Sequence, residues 1–175
     1  DAFLPFEVPI DSALRFDGEN VLAIRVDNTR RRDGIPGGRQ GWHPYGGILR
    51  PVAIWATDPF RIDRVRICGQ PQSDGGQFTL WAKVINGRAE PTEGRLKIHW
   101  LEPDTGPDRY VDTGVLEPGQ EKTLEVSGTV PRIHVWSLDQ PHLSAVQVAL
   151  VSGDQTIDAQ GIEFGFRKIE TRGEM

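Results

Sequence analysis

The sequence predicts an all-β protein whose larger part is an immunoglobulin-like antiparallel β-sandwich. Glycine and proline are frequent, at 20 and 13 of 175 residues, and five tryptophans accompany a single methionine, a composition that suits turn-rich β structure. Short runs with period-two alternation recur about every ten residues, separated by turn signals. No helical period of useful length is present. Together these observations favour strands throughout.

The first part of the chain contains two predicted strands and a long loop. Leu22, Ile24 and Val26 alternate with polar or small residues, which predicts a half-buried strand with the three aliphatic side chains pointing inward. Residues 52–56 form a second such face. The residues between 28 and 51 are rich in glycine, proline and arginine and predict a long irregular loop, which is usually functional or packed by its own aromatic residues.

A domain boundary is predicted at residues 57–59, because the residue before Pro59 is pushed towards extended conformations and proline cannot donate to a central ladder. Beyond it, seven short strands form the predicted sandwich. The alternation predicts a core formed by one face of the second strand and one face of the third. The strands are predicted at 62–67, 78–85, 95–101, 109–116, 122–126, 145–151 and 156–166, and the core residues are Phe78, Leu80, Ala82, Val84, Leu96, Ile98 and Trp100.

Charge and hydropathy exclude two classes of partner. The formal net charge of -5 comes from mixed acidic and basic residues, so no stripe of one sign could follow a phosphate backbone, and nucleic acid is not expected as a partner. No apolar run reaches the ~20 residues of a membrane span, and no membrane partner is expected. Cys68 is the only cysteine, and its place at the end of an alternating run predicts a small packed residue.

No catalytic or metal-binding residue is predicted. The four histidines are far apart in sequence and show no metal-ligand spacing, so neither a metal nor a cofactor is expected. Retaining glycoside hydrolysis needs two carboxyl groups about 5 Å apart, and no such pair can be nominated. Glu163, between Ile162 and Phe164, looks the least solvated of the acids, and its simplest role is a strand-face residue paired with an arginine.

The long loop carries the one positive functional signal. Trp42, His43 and Tyr45 stand on a glycine-rich stretch, and aromatic faces with polar rims suit sugars, whose C–H faces are apolar. Asp27 and Asn28 precede the loop and complete the set of sugar-binding candidates. The alternative and simpler interpretation is that Trp42 and Tyr45 only pin the loop onto the sheet or onto a neighbouring domain.

Ordered motifs resemble a known family. Residues 4–7, 18–28 and 41–52 resemble, in order and spacing, the closing half of the N-terminal jelly-roll domain of family 2 glycoside hydrolases, the group of β-galactosidases and β-glucuronidases. Residues 135–143 and 165–170 resemble two later segments of that family. Leu138 replaces the usual proline, and Ser144 stands where tyrosine is common. The resemblance covers nearly the whole chain.

The resemblance implies a division into domains. Residues 1–57 would be the C-terminal part of the jelly-roll, galactose-binding-like domain, and residues 58–172 the immunoglobulin-like sandwich. The family's two catalytic glutamates lie in a (β/α)₈ barrel, which would begin after about Arg172 and is expected to be absent from this chain. The resemblance therefore implies an accessory, non-catalytic region of a retaining hydrolase, whose main partner is the barrel of the parent protein and whose loop contacts carbohydrate.

The sequence is also compatible with a stand-alone binding function and with self-association. The segment would act alone as a carbohydrate-binding or adhesive sandwich if sugars bind it without the barrel. Assembly into a homo-oligomer is also compatible with the sequence.

Overall fold

The computed structural model describes residues 6–29, 46–103, 108–170 and Gly173. The chain forms two compact units, Asp1–Ile54 and Trp55–Met175. The assignment of residues 1–57 to the end of a jelly-roll domain stays a prediction.

The first unit differs from the sequence prediction in its strands. Its only regular element in the described residues is a short 3₁₀ helix, Asp11–Ala13. Leu22, Ile24 and Val26 are 59%, 49% and 47% exposed, and neither residues 22–26 nor residues 52–56 form a strand. The prediction of two strands here was wrong. Alternation creates an apolar face, but a strand also needs a neighbour to satisfy its backbone, and an isolated pair is marginal in water.

In its described residues the second unit contains seven strands, one at each predicted position. The fourth has the predicted bounds, the seventh ends at Phe164 rather than at residue 166, and the other five extend the predicted runs at both ends. The strands are β1 Phe60–Gln72, β2 Gly75–Asn86, β3 Thr92–Glu102, β4 Arg109–Leu116, β5 Glu121–Val130, β6 Ser144–Ser152 and β7 Gln155–Phe164. The all-β fold class is thereby confirmed.

The strands form two antiparallel sheets. One sheet has the order β1-β2-β5 and the other the order β4-β3-β6-β7. Consecutive strands pair within each sheet at the hairpins, while the chain changes sheet between β2 and β3, between β4 and β5, and between β5 and β6. This arrangement of a three-stranded and a four-stranded sheet is the immunoglobulin-like sandwich that the sequence predicts.

The core lies between the two sheets and is built from the predicted faces. All seven predicted core residues are buried, and Leu80, Ala82, Val84, Leu96 and Ile98 are 0% exposed. The ring of Trp100 lies 5.1 Å from that of Phe78 and 6.3 Å from that of Phe166. Burial of a large aromatic residue on the third strand is typical of immunoglobulin-like cores.

Side chains of β7 close one edge of the sandwich. A bulge in β1 shifts the register between Ile62 and Arg64. The backbone N–H of Ile62 donates to Asp158 Oδ2 at 2.9 Å, and the Gln160 amide donates to the Ile62 carbonyl at 2.8 Å. Both backbone groups of Ile62 are thus satisfied across the gap between the sheets, which ties β1 to β7.

Within the described ranges, no helix is long and apolar enough to cross a membrane.

Candidate functional site

Two of the five sugar-binding candidates lie in the described residues. The Asp27 carboxylate accepts a hydrogen bond from the backbone N–H of Thr29 at 3.0 Å, which makes a local turn where the chain enters the loop. The Asn28 amide nitrogen lies 3.1 Å from the position that a Cβ on Gly46 would occupy. The structure therefore brings Asn28 against Gly46, at the far end of the loop. Trp42, His43 and Tyr45 lie outside the described residues, and their role stays a prediction.

Cys68 and Glu163 differ from their sequence predictions. Cys68 is exposed, because Val65 and Ile67 point towards the core and the residue after Ile67 points away from it. Glu163 is exposed too, and it makes no ion pair with an arginine among the residues whose positions are described. Glu163 does lie on a strand face, in β7, as predicted, but the packed position predicted for Cys68 and the arginine partner predicted for Glu163 were wrong. Period two places the neighbours of inward-facing residues in solvent.

Three of the four histidines, His99, His134 and His142, lie in the sandwich unit, and His43 lies outside the described residues. The rings of His134 and His142 lie 5.1 Å apart, and His99 Nδ1 lies 2.7 Å from Asp108 Oδ1. No group of three histidine, cysteine, aspartate or glutamate side chains that could hold a metal occurs in the part of the chain that is described.

Asp58 forms an ion pair with Arg88 through both of its carboxylate oxygens. Arg88 donates to both of its carboxylate oxygens at 2.9 Å, and the backbone N–H of Phe60 donates to Oδ1 at 2.7 Å. The hydrogen bonds from Arg88 hold the pKa of Asp58 below its ordinary value, against the opposing effect of burial. The pair joins the start of β1 to the turn after β2.

Asp108 is the second carboxylate that basic side chains contact, and these side chains lie on the outer face of the four-stranded sheet. Lys97 Nζ lies 3.0 Å from Asp108 Oδ2, and His99 contacts the other oxygen. The hydrogen bond from Lys97, followed by that from His99, lowers the pKa of Asp108. Asp58 and Asp108 are therefore ionised at neutral pH, whereas a general acid needs a raised pKa.

The outer face of the three-stranded sheet holds a cluster that the sequence analysis missed. Trp81 faces outward in β2, with Arg66 opposite it on β1 and Glu125 opposite it on β5. Together with Arg64, Lys83 and Thr123, the Trp81 and Arg66 side chains line a depression of about 260 Å³. The signal was present, because Trp81 stands between the inward-facing Leu80 and Ala82 and must point to solvent.

A family model matches the part of the sequence that forms the sandwich. The family model described as glycosyl hydrolases family 2 matches residues 60–167, which begin at β1 and end just beyond β7. The chain belongs to glycosyl hydrolases family 2.

Relatives within this family cover nearly the whole chain. A β-glucuronidase of Formosa agariphila is 24% identical over 96% of this chain and 19% of its own length. A β-galactosidase of Rhizobium meliloti is 24% identical over 87% of this chain and 20% of its own length. The crystal structure of a Bacteroides uniformis β-glucuronidase superimposes with a TM-score of 0.76 at 21% identity, covering 91% of this chain and 20% of that one. The family 2 chain thus spans about a fifth of these relatives.

Proposed function

We propose that this chain is an accessory, non-catalytic β-sandwich region of a retaining glycoside hydrolase that acts on β-galactosides or β-glucuronides. In this proposal the sandwich supports a catalytic (β/α)₈ barrel of the parent protein. The loop around Trp42, with His43, Tyr45, Asp27 and Asn28, helps to shape the sugar site.

The observation that carries the proposal is that the chain matches only a small share of each relative's length. The chain corresponds to about a fifth of proteins named β-glucuronidase and β-galactosidase, and the family model matches the sandwich of residues 60–167. A rigid two-sheet unit with a continuous apolar core suits a spacer that must hold a neighbouring domain in a fixed position.

The electrostatics of the carboxylates support a non-catalytic role. Retaining hydrolysis pairs a general acid of raised pKa with an ionised nucleophile about 5 Å away. Asp58 and Asp108 each lie against a cation that lowers their pKa. Asp63 and Glu121 both contact the Lys83 ammonium, at 3.5 and 2.6 Å. These carboxylates are arranged for ion pairing.

Hydrolysis assays test the non-catalytic role. We expect the purified 175-residue chain to release no nitrophenol above background from nitrophenyl β-galactoside or β-glucuronide. The full-length β-galactosidase of Rhizobium meliloti serves as the active control. Turnover that survives repurification and follows the sandwich through a second chromatographic step would overturn the proposal.

Calorimetric titration separates the accessory role from a stand-alone sugar-binding module. Under the accessory role, galactose and glucuronate give no heat that depends on Trp42, since the rest of the sugar site lies on the barrel. Heat that disappears in Trp42→Ala would support the stand-alone module instead. Trp55→Ala is the matched control, because the Trp55 side chain is 80% exposed and lies outside the loop.

A further inference from the structure

We propose that the outer face of the β1-β2-β5 sheet carries a second carbohydrate site, which binds a sugar bearing a carboxylate. The site is the cluster around Trp81, and it shares no residue with the loop around Trp42. It would give the sandwich a binding role beyond support of the barrel.

The geometry places an aromatic ring between two different polar partners. The Trp81 indole N–H donates to Glu125 Oε2 at 3.0 Å. On the other side, the Arg66 guanidinium carbon lies 5.8 Å from the centroid of the indole ring. The ring is therefore held by both neighbouring strands and lines the floor of the depression. A fixed aromatic surface beside polar groups suits the apolar face of a sugar ring.

The cationic side chains of the cluster differ in whether a carboxylate lies beside them. Lys83 contacts Asp63 and Glu121, and the hydrogen bond that its ammonium donates to Glu121 raises the pKa of Lys83. Arg64 and Arg66, in contrast, have no carboxylate within 4.0 Å in the described part of the chain. Two guanidinium groups with free donors beside one aromatic ring are complementary to a single carboxylate, which arginine binds in a bidentate manner.

The acidic groups around the depression select the kind of anion. Asp63, Glu121 and Glu125 would repel a polyanion such as an acidic peptide or a nucleic acid. The Thr123 hydroxyl, which lines the depression, and the Glu125 carboxylate, which contacts Trp81, can accept hydrogen bonds from sugar hydroxyl groups. A ligand with one carboxylate and several hydroxyl groups satisfies both sets, and a uronic acid has this chemistry.

Titration by NMR tests the site in the intact 175-residue chain. The probes are galacturonate and glucuronate, compared with neutral galactose and glucose, at low salt. We expect the uronates to shift the indole N–H signal of Trp81, which is assigned by its loss in Trp81→Phe. Arg66→Gln should weaken uronate binding on the order of tenfold, as expected for loss of one charge-assisted hydrogen-bonding partner.

Arg95→Gln provides the matched control. Arg95 lies 5.4 Å from the centroid of the Tyr110 ring on the other sheet, so this substitution removes an arginine from a comparable aromatic pair. We expect it to leave uronate binding unchanged. Equal effects of Arg66→Gln and Arg95→Gln would overturn the proposal, and so would equal binding of galactose and galacturonate.

Two further outcomes would also contradict the second site. One is a uronate-induced shift confined to the Trp42 indole, which would place binding in the loop. The other is a glutamate pentapeptide that binds the Trp81 face as tightly as galacturonate, which would make it a surface for acidic proteins. Thermal melts of each variant verify that the sandwich remains folded, and the outward-facing positions make large losses of stability unexpected.

Discussion

Replacing Asn86 by alanine should lower the free energy of unfolding of the sandwich unit by about 3 kcal/mol. Asn86 is 0% exposed at the end of β2. Its amide nitrogen donates to the carbonyl oxygens of Leu116 at 2.8 Å and of Glu90 at 2.9 Å. Its amide oxygen accepts from the backbone N–H of Arg88 at 3.0 Å. One side chain therefore joins the ends of β2 and β4 and the turn between β2 and β3.

The magnitude follows from what alanine leaves behind. A buried polar group without a partner costs about 1–3 kcal/mol, whereas a partner that water can reach costs less. The Leu116 carbonyl is in a buried hydrogen bond, and the other two partners are partly buried. About 2 kcal/mol for the first and about 0.5 kcal/mol for each of the others gives the estimate of about 3 kcal/mol.

Urea unfolding followed by far-ultraviolet circular dichroism measures this effect. Gln120→Ala is the matched control, because the Gln120 amide also accepts a backbone N–H, from Glu117 at 2.8 Å, but at an exposed position. We expect the control to lose less than about 1 kcal/mol, since water replaces the lost acceptor. A loss below about 1 kcal/mol for Asn86→Ala, or equal losses for the two variants, would refute the reasoning.

Two more predictions concern the sandwich. Arg88 holds the pKa of Asp58 below its ordinary value, so the ion pair stabilises the folded state. This contribution, up to about 1 kcal/mol, is fully present above about pH 4 and is lost as the pH falls through the lowered pKa of Asp58. The difference in unfolding free energy between the parent chain and Asp58→Asn, measured from pH 7 to pH 2, should therefore shrink in acid, and a constant difference would contradict it. Gly75→Ala should cost more than about 2 kcal/mol in thermal unfolding, because φ at Gly75 is 140° and a Cβ would clash with the Val130 carbonyl oxygen. Gly119→Ala, at φ 76° with no atom within 4 Å of the added Cβ, should cost only about 1 kcal/mol, and equal losses would exclude a steric cause.

Much of the sandwich could be predicted from local pattern. Each of the seven strands was found from alternation and turn residues, and β4 has the predicted bounds, Arg109–Leu116. Alternation fixes which residues share a face, so the buried positions of β2 and β3 followed directly. The same alternation places Cys68 outside the core, since it follows the inward-facing Ile67.

In the first unit, alternation of apolar and polar residues does not lead to strands. Leu22, Ile24 and Val26 have the pattern of a strand, but their side chains are exposed and their backbone joins no ladder. The alternation of apolar and polar residues indicates which side chains could be buried together. A strand forms only where a second strand supplies partners for its backbone hydrogen bonds.

The sequence by itself determined the all-β class, the number and positions of the sandwich strands, and the resemblance to family 2 glycoside hydrolases. These properties depend on local periodicity and on ordered motifs, which are written along the chain. Only the tertiary structure decided that Arg66 and Glu125 lie on either side of Trp81, because cross-strand register joins residues that are distant in sequence. It also decided that Arg88 and Lys97 lie against Asp58 and Asp108, which lowers the pKa of both carboxylates. Such pairings set charge and pKa through space, and no spacing along the chain encodes them.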